Sequence, residues 1–354
     1  MSLILVMMIF LCSTKLCTSS LGDIDPNYKL CCEDCYVHKM CSSNSDHSDA
    51  KLKEHLFGHE SMHGLFAAYY RYVTPDCLEI CKYECSWKIT SDRLIRNLPQ
   101  LKYYGHWVFR RPYGYHEPAS AFFSLCNALP HFLQINKRWS SKPVASKTEE
   151  FYLKIWMVPY PYVAAITWTA STLYHSRRTF HSHKFDLVTA LLLIFYGLLL
   201  SIRRILGPFS SGGLLKYPWI LFSAGAFMLL TWRLHAMFTD TITFEQHMEA
   251  AIAMATVSCF MWIAWCLFSY DENESAIVFN LIPYGGSRQG RKRMLIFQVW
   301  FIAAAMMEIF DFPPIFQVFD AHSLWHACTV PLGFYWYQFI DEDGQFYERK
   351  GKSS

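Results

Sequence analysis

The chain has 354 residues, of which 53% are hydrophobic, 17% aromatic and 17% charged, whereas a soluble domain carries about a quarter of its residues charged. The net charge of +3 is too small to suggest a nucleic-acid partner, and the basic residues cluster between apolar runs, as in a membrane protein. Residues 21–115 are polar and residues 116–340 mostly apolar, so a polar N-terminal region precedes a membrane domain.

The apolar stretch LILVMMIFLC ends at Cys12 and is followed by small polar residues from Ser13 to Ser20. Residues 1–20 read as a signal peptide cut near Ser19 or Ser20, although no Lys or Arg precedes the stretch. The alternative, an uncleaved anchor, is too short to span a bilayer.

The polar region 21–115 holds seven cysteines: Cys31, Cys32, Cys35, Cys41, Cys77, Cys81 and Cys85. Dense cysteines behind a signal peptide imply disulfides in an oxidising lumen. The odd count leaves one thiol over, Cys31 or Cys32. A zinc knuckle is the rival reading, because the Cys32-x2-Cys35 spacing also suits zinc.

Seven apolar runs follow, at 118–136, 154–174, 185–202, 217–236, 249–270, 294–310 and 318–340. Several lack a central charge over nearly the length that crosses a bilayer. The first is interrupted by Pro130 and His131, and the sixth carries Glu308 near its end. The expected fold is an all-α membrane protein: seven transmembrane helices in 116–340, a small disulfide-rich lumenal domain in 21–115, and a charged, mobile cytosolic tail in 341–354.

Basic residues orient the runs. Lys137, Arg138, Lys142 and Lys147 follow the first run, Arg203, Arg204 and Lys216 the third, and Arg288, Arg291, Lys292 and Arg293 the fifth, while Arg349, Lys350 and Lys352 lie in the tail. On the other side, 237–248 and 311–317 have no Lys or Arg, and only Arg177, Arg178 and Lys184 break the asymmetry. The positive-inside rule puts the first set in the cytosol and the N-terminus in the lumen. The sequon Asn273-Glu274-Ser275 then faces the cytosol and stays unglycosylated.

Five residues stand out for chemistry. His322 and His326 are four apart at the start of the seventh run and share a helix face, as two metal-binding histidines do in HExxH, although that motif's glutamate is missing. Ser171 and His175 repeat the spacing at the end of the second run, and Asp186 opens the third. The topology brings all five to one membrane face, where ionisable groups tend to mark function. Three histidines match the open site of catalytic zinc, which generates hydroxide near neutral pH. A carboxylate can shuttle the proton and a hydroxyl can stabilise an oxyanion.

Plainer readings compete elsewhere. His181 and His183 read as a solvated loop, and His106, His116 and His247 as surface or interfacial. Glu308 and Asp311 either orient a ligand histidine or cap and pair near the interface. Glu117 suits the dipole at the start of the first helix. Pro313-Pro314 stiffens the turn before the seventh. No Gly-x-Ser-x-Gly elbow or phosphate-binding glycine loop is present, so a serine hydrolase or nucleotide enzyme is poorly supported.

Ser171-x3-His175, Asp186 and His322-x3-His326 on seven helices resemble the CREST superfamily of membrane hydrolases. With CKYECSW (Cys81 to Trp87), EPASA (Glu117 to Ala121) and DFPPIFQVFDAHSLWH (Asp311 to His326), the chain resembles more narrowly the GPI-remodelling family of post-GPI attachment to proteins factor 3, from about Cys32 to about Asp343. That resemblance implies a phospholipase A2-like step that removes an unsaturated sn-2 acyl chain from GPI-anchored proteins, in the Golgi membrane or, in fungal members, the endoplasmic reticulum. It implies Zn2+ on His175, His322 and His326, Asp186 as acid/base, and Ser171 holding the water or oxyanion. The expected partners are GPI-anchored proteins, their lipid and the bilayer. The seventh lumenal cysteine departs from an expected six. Rival functions are a ceramidase-like amidase, against which the cysteine domain and residues 311–326 speak, and a non-catalytic lipid receptor or chaperone for GPI-anchored cargo.

Overall fold

The computed structural model describes residues 20–41, 75–140, 157–206, 216–239, 241–269 and 286–353. The expected signal peptide, apart from Ser20, and the Asn273 sequon lie outside these residues. Among the described residues the chain is mostly helical, with isolated bridges at Tyr103–His106 and Ile315–Phe319.

The N-terminal module comprises α1 (Leu21–Ile24), α2 (Pro26–His38) and α3 (Cys77–Ile95). Asp25 caps α2 by accepting from Asn27 N at 2.8 Å, with Pro26 in the first turn; its fixed φ and missing N–H suit that position. Asp76 caps α3, accepting from Glu79 N at 2.6 Å. Cys31 pairs with Cys85, Cys35 with Cys81 and Cys41 with Cys77. Positions that ascend along α2 descend along α3, so the three bonds lock an antiparallel helical hairpin. Cys31 and Cys35 lie on the bonded face. Cys32, one residue round the helix, is the free thiol, buried among Tyr28, Tyr103 and Val108. Six of the seven cysteines are thus disulfide-bonded, and the zinc-knuckle reading fails.

Each of the seven apolar runs forms a helix: α4 (Pro118–Ser140), α5 (Tyr160–Ser176), α6 (Phe180–Leu206), α7 (Lys216–Phe238), α8 (Phe244–Phe268), α9 (Arg288–Phe310) and α10 (Ala321–Ser353). Among the described residues three stretches are long and apolar enough to cross a membrane, Phe180–Ile205, Gln246–Phe268 and Arg288–Phe310. The chain is a multi-pass membrane protein. Helices α4, α5, α6, α8, α9 and α10 pack as a closed ring, each against the next and α10 back onto α4, while α7 lies on α6. Gly333 lets α10 close on α4, because a Cβ there would stand 2.6 Å from Pro130 Cγ. Trp262, Trp265, Trp336, Phe339, Met294 and Leu200 fill the core.

Successive helices run in opposite directions, which gathers alternate ends. At one end Glu117 N, just before α4, donates to His175 O on α5 at 3.0 Å, and Lys184 on α6 donates to Met237 O on α7 at 3.0 Å. At the other end the expected mobile tail is instead a continuation of α10. Asp343 pairs with Arg204 on α6 at 2.6 Å, Asp341 with Lys137 on α4 at 2.9 Å and Glu342 with Arg293 on α9 at 2.7 Å. Arg203 and Arg204, read in the sequence as loop residues, lie buried in the last turn of α6.

Candidate metal centre

The last two turns of α5 carry Ser171 and His175, both buried. The first turns of α10 carry His322 and His326. Asp320 starts α10 by accepting from Ser323 N at 2.8 Å, which fixes the phase of the helix and points both histidines towards α5. Asn127 on α4 donates to His326 O at 2.8 Å, and Thr329 does so at 2.9 Å.

The three imidazoles converge through one nitrogen each. His175 Nε2 lies 3.3 Å from His322 Nε2 and 3.3 Å from His326 Nε2, and the latter two are 2.9 Å apart. Zinc–nitrogen bonds in a tetrahedral site set the nitrogens about 3.3–3.4 Å apart, close to this triangle. Lone pairs aimed at one point repel unless a cation lies among them.

The opposite nitrogens fix the tautomers. His175 Nδ1 donates to Glu117 Oε2 at 2.5 Å and His322 Nδ1 to Glu308 Oε2 at 2.7 Å. Each leaves Nε2 as the acceptor, the arrangement of a ligand histidine braced by a carboxylate. His326 Nδ1 is buried without a hydrogen-bond partner among the described residues, and the Trp168 ring packs edge-on 5.5 Å from its imidazole. Three convergent imidazole nitrogens are a donor set that suits zinc. Among the described residues this is the one group of three or more potential ligands.

Asp186 is half-buried at the start of α6, the helix that packs next to α5. Ser171 Oγ lies 3.0 Å from Ser124 Oγ on α4, one turn below His175. The fold therefore gathers the three histidines at one point, sets Ser171 on the adjoining turn and places Asp186 on the neighbouring helix α6.

Several plainer readings need correction. Glu117 serves His175 rather than only a helix dipole. Its other oxygen takes Arg178 at 3.2 Å. Burial favours its neutral form, but Arg178 and His175 outweigh this and hold the carboxyl well below the usual range. Glu308 orients a histidine, whereas Asp311 pairs with Lys102 and with the Trp107 indole. His181 and His183 lie in the first turn of α6 rather than in a loop, and His183 stacks on Tyr174 with centroids 5.1 Å apart. His116 and His247 are buried. Sequence reasoning missed the role of Glu117, the first residue of EPASA, because its partner is 58 residues away in sequence.

The chain is 29% identical over 280 residues to "GPI-specific phospholipase A2-like PGAP3" of Xenopus laevis, covering 78% of this chain and 80% of that protein. It is 24% identical over 336 residues to the Homo sapiens protein of the same name, covering 94% and 92%. It is 28% identical over 331 residues to "Protein PER1 homolog" of Schizosaccharomyces pombe, covering 91% and 87%. No solved structure matches the chain. The family model described as Per1-like matches residues 67–344, a span that contains every residue of the histidine site, and the chain belongs to the Per1-like family.

Proposed function

We propose that this protein is a zinc-dependent acyl-ester hydrolase that remodels GPI anchors by removing the sn-2 acyl chain of their lipid. The observation that carries the reading is the triangle of His175, His322 and His326 with two tautomers braced by Glu117 and Glu308. The names of the relatives, GPI-specific phospholipase A2-like, supply the substrate class. In this reading the seven helices α4–α10 all cross the membrane, residues 1–20 are a signal peptide, and residues 21–115 lie in the lumen of the Golgi or, alternatively, the endoplasmic reticulum. The C-terminus is cytosolic. The site then stands level with the ester linkages of a lipid whose glycan and protein project into the lumen.

Zinc, when bound, lowers the pKa of a water molecule and polarises the ester carbonyl. His175, His322 and His326 would hold the ion. Asp186 takes a proton from the attacking water and returns it to the departing glycerol oxygen, acting first as base and then as acid. The Ser171 hydroxyl, steadied by Ser124, donates to the charge that develops on the carbonyl oxygen. Arrangement on the rigid helices α5, α6 and α10 fixes these groups before substrate arrives.

The test is lipid analysis of GPI-anchored proteins from cells that express only His326→Ala. Retention of unsaturated sn-2 chains, with normal protein abundance and location, is expected. Unchanged remodelling would reject the hydrolase and leave the receptor or chaperone reading. Absence of zinc from the purified wild type would reject the mechanism.

A further inference from the structure

We infer that Arg178 and Glu79 are positioning residues through which the disulfide-locked N-terminal module sets the orientation of the metal ligand His175. The inference rests on the metal-site reading above but assigns residues which that reading does not use.

The path is continuous. His175 Nδ1 donates to Glu117 Oε2 at 2.5 Å, and Arg178 lies 3.2 Å from Glu117 Oε1. One carboxylate oxygen is thus hydrogen-bonded to the ligand and the other lies in ion-pair range of the guanidinium. The backbone repeats the tie: His116 N donates to Ser176 O and Glu117 N to His175 O, both at 3.0 Å. The segments 116–117 and 175–178 form one clamp between α4 and α5.

Glu79, in the first turn of α3, grips that clamp from the N-terminal module. Its Oε1 lies 3.0 Å from His116 Nε2 and its Oε2 3.1 Å from Arg177 NH2. Arg111 approaches the same carboxylate at 4.0 Å. Glu79 therefore holds the neighbours of both Glu117 and Arg178. His116 Nδ1 accepts from Arg178 N at 3.3 Å, which assigns its proton to Nε2, facing Glu79. Cys81, two residues beyond Glu79, is bonded to Cys35. The disulfides thus fix the helix from which Glu79 reaches the clamp. A carboxylate that braces a ligand histidine is a known determinant of metal affinity. Here the brace is itself braced, by groups from a separate module.

The experiment measures zinc affinity of the purified full-length protein by competition with a chromophoric chelator, together with the thermal midpoint and the turnover of a GPI lipid in vesicles. Arg178→Gln and Glu79→Gln are expected to weaken zinc binding by about tenfold, the lower end of the effect of losing a bracing partner, and to lower kcat more than they raise KM. Arg178→Lys restores the charge beside Glu117 and recovers most of the affinity. In a His175→Ala background, Arg178→Gln has no further effect, because its influence passes through that ligand. If both Gln variants lower the thermal midpoint but bind zinc as the wild type does, or if Arg178→Gln weakens His175→Ala further, the inference is overturned. Should Arg178→Gln fail to fold, Arg178→Lys and Glu79→Gln carry the same comparison. A wild type without zinc refutes the metal site itself; a zinc-loaded wild type with unaffected variants refutes only the positioning role.

Discussion

Glu117 and Glu308 perform one task on two histidines, yet their surroundings predict unequal consequences when each is replaced by glutamine. The Glu117 side chain is 8% exposed and both its oxygens are used. A glutamine there has one acceptor oxygen and one amide, so it satisfies either His175 or Arg178 and turns N–H groups towards the other. Glu308 is 44% exposed and its bond to the protein is through one oxygen, to His322. A glutamine there turns its oxygen to His322 and loses only the charge. Loss of a bracing partner costs about 10–100-fold in metal affinity. Glu117→Gln is placed near the upper limit, about 2.8 kcal/mol, and Glu308→Gln near the lower, about 1.4 kcal/mol, at about 1.4 kcal/mol per tenfold. Glu117→Gln also strands Arg178. A fully buried stranded charge costs about 3–5 kcal/mol, and the 16% exposure of Arg178 reduces this to about 2–3 kcal/mol of folding stability. Glu308→Gln leaves no cation stranded and moves the thermal midpoint little. Chelator competition and thermal unfolding of the two variants in one detergent give both quantities. Equal losses of affinity, or a larger loss at Glu308, would refute the reasoning from burial and oxygen count.

Other consequences follow from the same contacts. Ser171→Ala is expected to lower turnover by about 10²–10³-fold, as for loss of an oxyanion donor, while zinc content is unchanged; normal turnover excludes the role given to Ser171. Cys31→Ser opens a loop of about ten residues, because Cys35–Cys81 already ties the helices, at a cost of about 2.5–3 kcal/mol. Cys32→Ser retains all three disulfides, and peptide mapping under non-reducing conditions checks both variants. Truncation after residue 340 removes Asp341, Glu342 and Asp343, which pair with Lys137, Arg293 and Arg204, and is expected to lower the thermal midpoint; an unchanged thermal midpoint restores the mobile-tail reading. Acidification is expected to loosen the N-terminal module. Burial is the main force holding His116 below its ordinary value. Burial would raise Glu79, but His116, Arg177 and Arg111 pull it lower. In both cases the unfolded chain binds more protons across the intervening pH range, so stability rises with pH. The His116 contribution falls away below about pH 6.5 and that of Glu79 below about pH 4. Thermal midpoints between pH 4 and 8 test this, and His116→Asn removes the upper part of the decline.

The helices and their order were legible in the sequence because burial in lipid or protein demands long apolar runs, and all seven runs became helices. Local pattern also marked His175, His322, His326, Ser171 and Asp186, since spacing of four places two side chains on one helix face whatever surrounds the helix. The odd cysteine was legible only as a count. Cys31 and Cys32 differ by one step round α2, and only the packing of α2 against α3 decides which faces a partner. The brace on His175 was hidden for the same reason. Glu117 looked like an ordinary helix-start acid until α4 met α5. Arg178 and Glu79 became partners of the site only when the disulfide hairpin packed on that junction. The charged end of α10 read as a solvated tail because Asp341, Glu342 and Asp343 are polar in sequence. Their cations lie on α4, α9 and α6, and pairing with them makes the last turns of α10 part of the bundle. The sequence alone determines which segments form helices and which side chains share a helix face, because both depend on neighbours a few residues away. Which carboxylate meets which histidine, and which thiol stays free, was decided by helix packing, because those contacts join residues far apart in the chain.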